Sequence, residues 1–360
     1  MMAFGDVYRN RRVLLTGHTG FKGSWLALWL KTLGAQTTGL ALARNSTPSH
    51  WELLGLDVDD KRLDVRDATA VQDALHTAAP EIVFHLAAQS LVRSSYRDPL
   101  ETWSTNVMGT ANVLEACRLQ PSVRAIVVIT SDKCYENREW DWGYRENDRL
   151  GGHDAYSASK AGAELVISSY RSAFFGQPDA PLLASARAGN VIGGGDWSED
   201  RLIPDVVRAY VARKTVEVRS PNATRPWQHV LESLSGYLSL GKKLIEGKKE
   251  FAQAWNFGPD IDGNCTVAEL LARLKLAWPV LDWRVTDSPQ LLHEAKLLYL
   301  DSAKARNRLG WCPVWSLEES LSLTADWYRA QIEHKSVISH HQLQTYMVAA
   351  KQAGLEWCFE

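Results

Sequence analysis

The first half of the chain alternates short apolar runs with stretches of helical period. RRVLLT, TTGLALA, EIVFHLAA, AIVVIT and PLLASARA each predict a strand, apolar on both faces and so buried on both. Between them, residues 24–33 carry a helical pattern closed by Gly34, and a longer helix is predicted over about residues 100–119. Buried strands separated by helices predict an α/β fold, a Rossmann-type doubly wound parallel sheet. After NVIGGGDW the regularity weakens, and Pro, Gly and Trp accumulate. That shift predicts a smaller mixed domain lying over the carboxyl edge of the sheet. RPWQHV and AWNFGP read as strands that return to the sheet, and the His- and Gln-rich last thirty residues as a helical appendage.

Composition narrows the picture. At 360 residues, 45% apolar and 23% charged, the chain is ordinary globular protein with room for a large core. Forty basic residues against 42 acidic give a net charge of −2, which offers no electrostatic case for nucleic acid or an anionic membrane. The apolar runs are too short to span a bilayer, and MMAFGDVYRNRR lacks a signal peptide's apolar core. Five cysteines without metal-site spacing predict reduced thiols, no metal site and a cytoplasmic protein. Cys134 reads as a small packed neighbour, and His85, in mid-strand, as a core histidine.

The first strand runs into TGHTGFKG, where Gly17, Gly20 and Gly23 recur every three residues. Glycines let backbone amides approach a pyrophosphate and let helix pack on strand, with the phosphate at the helix N-terminus. A glycine triplet alone is weak, but this one ends a strand and opens a helix in the first βα turn. The loop residues Gly17, Thr19, Gly20, Phe21, Lys22 and Gly23 are therefore assigned to a dinucleotide, with Asp64, Val65, Leu86 and Ala87 beyond later strands. The expected division is a dinucleotide-binding domain over 1–185, with 226–258 returning to it, and a smaller nucleotide-sugar domain over 186–360. The acidic residue that usually ends the second strand is missing from LALARN. Arg44 either meets a 2′-phosphate, which would favour NADP, or is a solvated loop residue.

HDAYSASKAGAELV places Tyr156 and Lys160 four residues apart, on one helix face. A lysine ammonium beside a phenol is expected to lower the phenol's pKa toward neutrality and make it a proton acceptor. With Ser131 at the end of AIVVIT, the three residues can bracket a substrate hydroxyl beside a nicotinamide.

TGHTGFKG, HLAAQ, NVMGT, YSASK, GNVIG and RPWQHV resemble the extended short-chain dehydrogenase/reductases over nearly the whole chain. TGHTGFKGSWL, AAQSLVRSSY, TSDKCYEN and RPWQHV are similar, within that group, to the nucleotide-sugar 4,6-dehydratases. The resemblance implies NAD regenerated in each turnover, CDP-glucose as substrate, and a homodimer or homotetramer joined through helices of the large domain. It implies no nucleic-acid or membrane partner, and a product used for deoxysugars and surface polysaccharide.

One tripeptide departs from the pattern. In related enzymes acting on dTDP-glucose the strand corresponding to AIVVIT ends Thr-Asp-Glu, with Asp as acid and Glu as base; here the positions hold Ser131, Asp132 and Lys133. Asp132 is the expected acid. Lys133 is either the base, which needs its pKa lowered by burial and by the cations of Lys160 and nicotinamide, or a charged stabiliser of the enolate. Arg201 and Arg225 are the candidates to neutralise the substrate's phosphates, because guanidinium matches phosphate geometry. Gln89 and Asn190 are candidate sugar or phosphate contacts. A 4-epimerase would share Ser131, Tyr156 and Lys160 but has no use for Asp132 and Lys133. A non-catalytic dinucleotide sensor would have no need of the Tyr-Lys pair.

Overall fold

In the structure, a computed structural model, residues 3–43, 47–218, 220–286 and 297–359 are described. The chain enters at strand β1 (Arg12–Thr16), crosses by α1 (Phe21–Thr32) to β2 (Gln36–Ala41), and passes α2 (His50–Leu54) to β3 (Asp59–Arg62). Helix α3 (Ala68–Ala78) leads back to β4 (Ile82–His85). Next come α4 (Val92–Arg97), α5 (Pro99–Trp103), a π-helical turn and α6 (Gly109–Leu119), which lead to β5 (Ala125–Ile129). Helix α7 (Ala155–Ala173) then delivers β6 (Leu182–Ala188).

These strands and a later one form a seven-stranded sheet in the order β10-β6-β5-β4-β1-β2-β3, with every pairing parallel. The expected parallel sheet is present. After β1 the chain winds outward to β2 and β3, then crosses back to β4 on the other side. The order reverses between β1 and β4, and a sheet of this kind binds ligands outside the carboxyl ends of strands at such a point. Alternate residues feed two cores: Val13 and Leu15 pack with Trp25, Trp29 and Phe84, while Leu14 packs with Val83, Val113 and Ile126.

The remaining chain builds β7 (Asn190–Ile192), α8 (Leu202–Val211), β8 (Val216–Val218), β9 (Thr224–His229), α9 (Val230–Ile245) and β10 (Ala254–Phe257). It continues as β11 (Asn264–Thr266), α10 (Val267–Ala277), β12 (Trp283–Val285), α11 (Leu317–His334) and α12 (Ser339–Gln352). Small sheets β11-β9-β7 and β12-β8 complete it.

Two expectations are corrected, and one strand was not expected. RPWQHV does not rejoin the large sheet: β9 pairs with β7 and β11, and the return is made by α9, packed on β5 and β6, and by β10. The helix over 100–119 is broken, because Asp98 caps α5 with Pro99 at its first position and the π-helical turn Ser104–Met108 precedes α6. Strand β3, with the sequence DDKR and exposed throughout, carries no apolar signal at all. The expected helical appendage is present as α12 and a short turn. It packs on α1 and the N-terminus, where Phe4 stacks on Trp357 at 4.7 Å between centroids. Among the described residues no helix is long and apolar enough to cross a membrane.

Candidate active site

Gly17 follows β1 at φ +74°, and a Cβ there would come 2.7 Å from the Ala87 amide nitrogen. A Cβ on Gly23 would stand 2.0 Å from the Gly17 carbonyl oxygen. Neither position accepts a side chain, so the loop is pressed against the start of α1 and against the end of β4. Thr16 Oγ1 ties the two strand ends, accepting from the amides of Leu86 at 3.1 Å and Ala87 at 3.0 Å. The result is a backbone cradle at the N-terminus of a twelve-residue helix, which fits the diphosphate of a dinucleotide. Thr19 Oγ1 donates to the Leu42 carbonyl across that loop, and Phe21 is half-buried. Val65 is buried, with its carbonyl held by Asn112, while the Asp64 carboxylate is occupied by Arg66, whose hydrogen bonds draw its pKa down. Arg44 lies outside the described residues. An acid does stand beside the loop, one strand further over: Asp60 of β3, 3.0 Å from His18 Nε2.

The AIVVIT run ends in Thr130, and the next residues turn back in a 3-10 helix, Asp132–Cys134, capped by Ser131. The Lys133 amide donates to Ser131 Oγ, and Ser131 Oγ donates to Asp132 Oδ1 at 2.9 Å. Asp132 is buried, and its Oδ2 has no hydrogen-bond partner among the described residues. Gly189 leaves that oxygen room, since a Cβ there would approach it to 3.1 Å. Lys133 is half-buried. Burial pulls its ammonium below the ordinary value, Asp132 resists, and Arg225 and Arg201 add to the fall. Burial was the expected cause and is the largest; among the protein's cations the two arginines act in place of the expected Lys160.

Tyr156 and Lys160 lie on one buried stripe of α7, which starts at a capping box made by Asp154 and Ser157. The Tyr156 phenol lies close enough to the Ser131 hydroxyl for it to pull the phenol's pKa down. Its pKa does not fall toward neutrality as expected. Burial pushes the phenol up to about 12, against the pull of Ser131 and Arg201. Lys160 is drawn down to about 8 by burial, with Cys134 and Glu164 opposing. Lys22 reaches across to α9, its Nζ 3.3 Å from Tyr237 Oη; burial, then Arg201, lowers it to about 7, and Asp132 opposes. The cofactor cradle, the tripeptide, the Tyr-Lys stripe and Arg201 thus share one electrostatic neighbourhood.

The outer candidates divide. Arg201 caps α8 with Asp196 and Ser90 each 3.5 Å away, and its charge reaches Lys22, Lys133 and Tyr156. Arg225, on β9, donates to the Thr224 carbonyl at 2.8 Å while its charge reaches Lys133. Asn190 opens β7 opposite Trp227. Gln89 is spent within its own loop: its amide nitrogen donates to the Leu91 carbonyl and Thr102, and its oxygen accepts from the Leu91 amide. Its side chain braces the loop that carries Ser90. Cys134 is fully buried, and His85 sits between Thr16 and Thr110 with burial lowering it to about 3, as packed residues would. Among the described residues no cluster could hold a metal ion.

Sequence reasoning missed Glu164 and Arg187, a buried pair with Nη2 to Oε2 at 2.7 Å beneath the site. Two signals could have found them. Glu164 extends the Tyr156-Lys160 spacing by another four residues, and Arg187 is a charge inside the apolar run PLLASARA.

A model of the family described as GDP-mannose 4,6 dehydratase matches residues 14–324. CDP-glucose 4,6-dehydratase of Salmonella typhimurium is 46% identical over 352 residues, covering 96% of this chain and 98% of that one. UDP-glucose 4-epimerase of Mycolicibacterium smegmatis is 27% identical, over 88% of this chain and 98% of its own length. Among solved structures, the Thermus thermophilus UDP-glucose 4-epimerase complex with NAD superposes with a TM-score of 0.77 at 24% identity, covering 89% of this chain and 99% of that one. That last likeness is one of fold.

Proposed function

This chain belongs to the GDP-mannose 4,6 dehydratase family, and from that premise we propose that it is a hydro-lyase converting CDP-glucose to CDP-4-keto-6-deoxyglucose with NAD. The observation that carries the reading is the meeting of two sets of groups. The Tyr156 phenol lies beside the Ser131 hydroxyl, which pulls its pKa down, and Ser131 hydrogen-bonds Asp132, next to Lys133. An oxidation site and an elimination site therefore share one serine. A 4-epimerase has work for Tyr156 and Ser131 but none for Asp132 and Lys133.

The cradle of Gly17, Thr19, Gly20, Phe21, Lys22 and Gly23 would hold NAD, with Val65, Leu86 and Ala87 beside it. When bound, NAD would supply reversible hydride chemistry for an internal oxidation and reduction of the sugar. Ser131 holds the 4-hydroxyl and Tyr156 accepts its proton. Lys160 stabilises the phenolate that accepts this proton; an ammonium below its pKa of about 8 does this best near neutral pH. The ketone acidifies the carbon 5 proton, which Lys133 removes as Asp132 protonates the departing 6-hydroxyl. Lys133, whose ammonium exchanges its protons with solvent, then returns a proton to carbon 5. The proton gained by Tyr156 then balances the one lost by Asp132, and Ser131, hydrogen-bonded to Asp132 and beside Tyr156, stands between them. Arg201 and Arg225 bind the diphosphate, and Asn190, at the start of β7, is a further contact for the sugar or phosphate.

The same proposal includes a cytoplasmic enzyme whose product feeds deoxysugar and surface polysaccharide synthesis. It also includes a homodimer or homotetramer built on the helices of the large domain. In its support, Leu100, Met108 and Leu165 are exposed there, and an open hollow of about 750 Å³ is lined by Leu100, Trp103, Val107 and Met108. The test of function is incubation with CDP-, UDP-, dTDP- and GDP-glucose, following the alkaline ultraviolet absorbance of a 4-keto-6-deoxy product. Conversion of CDP-glucose well ahead of the others supports the reading. Epimer without ketone, or no conversion, overturns it.

A further inference from the structure

The segment carrying Ser131, Asp132 and Lys133 is held at both ends by one buried polar network. At its start, Thr130 Oγ1 donates to Glu164 Oε1 at 2.5 Å. At its end, the Tyr135 hydroxyl accepts from Arg187 Nη1 at 2.8 Å and donates to Asn256 Oδ1 at 2.7 Å. Glu164 and Arg187 close the ring between the two ends, with Nη2 to Oε2 at 2.7 Å. Ser185 Oγ adds a further bond to Glu164 at 2.9 Å, and Arg187 Nη1 also reaches the Glu146 carbonyl at 3.1 Å. Glu164, Arg187, Thr130, Ser185, Tyr135 and Asn256 are all buried, none more than 6% exposed.

Glu164 stands on α7 four residues beyond Lys160 and eight beyond Tyr156, on the same stripe. Arg187 stands on β6. A charge pair this deep is a poor stabiliser in itself, because desolvation cancels most of the attraction. What it offers is direction. The buried neighbours on α7 include the small Ala161 and Ala163 beside Lys160 and Glu164, and apolar burial, being non-directional, does not by itself fix register. Hydrogen bonds at 2.5 to 2.9 Å on both carboxylate oxygens define it sharply. Burial pushes the Glu164 carboxyl up, but Arg187 and the two hydroxyl donors outweigh it and keep the group an acceptor.

We propose that the Glu164–Arg187 pair is a positioning device that sets the elimination groups Asp132 and Lys133 against the oxidation groups Tyr156 and Lys160, acting through Thr130 and Tyr135. The inference rests on the dehydratase reading above. Its two ends have different consequences. Thr130 adjoins Ser131, which serves both half-reactions, so loosening that end disturbs both. Tyr135 lies two residues beyond Lys133, so loosening that end disturbs elimination alone.

Glu164→Gln would leave a buried arginine unpaired and endanger folding, so the informative variants remove single hydroxyls. Thr130→Val and Tyr135→Phe keep shape, and the phenylalanine ring stays under the guanidinium, now 5.0 Å from the Tyr135 ring centroid. Two single-turnover rates are read with CDP-glucose deuterated at carbon 5: formation of reduced nicotinamide, and loss of deuterium to solvent. A shift of about 1 Å in a reacting group can cost roughly 100-fold, so loss of one hydroxyl is expected to cost about tenfold. Thr130→Val is expected to slow both rates, with KM within about twofold, and Thr130→Ser to restore them. Tyr135→Phe is expected to slow deuterium loss about tenfold while reduction keeps its wild-type rate. Wild-type rates in both variants, or equal slowing of both steps by Tyr135→Phe, overturn the device. A wild-type enzyme that forms no ketone overturns the functional reading and the device with it.

Discussion

Replacing Lys133 by Met separates the two half-reactions. The methionine stem keeps the apolar contacts of the lysine methylenes and removes the amine. In the native protein burial lowers the Lys133 pKa, Asp132 opposes, and Arg225 and Arg201 add to the fall, so a neutral amine exists at a pH where an exposed lysine would be charged. Losing a general base costs about 100- to 10,000-fold. That range corresponds to roughly 3 to 5 kcal/mol of barrier. The loss should fall on the second step only, because Tyr156, on α7, takes the first proton. The assay mixes excess enzyme with CDP-glucose deuterated at carbon 5 and follows nicotinamide absorbance and label together. Reduced nicotinamide should appear and persist while the label is retained. The sign of the pH dependence provides a second check. The active form is the neutral amine, so elimination should rise with pH through a pKa below the ordinary 10.5. Arg225→Met removes a cation that holds that pKa down, and should move the rising limb to higher pH. Label loss at the wild-type rate in Lys133→Met would refute the base assignment and leave Lys133 as an electrostatic stabiliser. Absence of reduced nicotinamide would place Lys133 in binding or oxidation instead.

Three further outcomes are expected. Tyr156→Phe should lower turnover by about 100- to 10,000-fold with substrate affinity nearly unchanged, measured by calorimetry against initial rates, since it removes the proton acceptor and little contact area. Lys160→Met should abolish turnover yet raise the melting temperature at neutral pH, because lowering a buried ammonium from 10.5 to about 8 corresponds to a cost of roughly 3 kcal/mol. The unfolded chain holds that proton between the two values and the folded chain does not, so the cost is full below about 8 and fades as pH rises toward 10.5. The melting-temperature gain should shrink over that interval, and a gain that widens would contradict the burial argument. Gly23→Ala would set a methyl 2.0 Å from the Gly17 carbonyl oxygen, so α1 must move off the loop. It should cost about 1 to 3 kcal/mol in a denaturant titration and abolish NAD binding.

Much of this protein is legible in its sequence because the deciding physics is local. Runs such as AIVVIT can only be strands buried on both faces, and TGHTGFKG can only be a close approach of backbone to backbone. Tyr156 and Lys160 share a helix face by spacing alone. The parallel sheet and the glycine cradle follow from these features, and the family comparison agrees. Other features depend on partners that come from far along the chain. Strand β3 is written in DDKR and exists because it pairs with β2, its backbone satisfied at an exposed edge where no side chain needs burial. RPWQHV has strand character, but its pairing with β7 and β11 is settled by neighbours more than thirty residues away at both edges. The pKa values depend on burial more than on spacing. The Tyr156-Lys160 spacing suggests a phenol lowered toward neutrality, whereas the fold encloses it and raises it to about 12. Lys133 has its pKa lowered by arginines that lie about 70 and 90 residues further along the chain. Spacing along a helix fixes which groups face the same way, whereas dielectric and charge at that place are properties of everything packed around it.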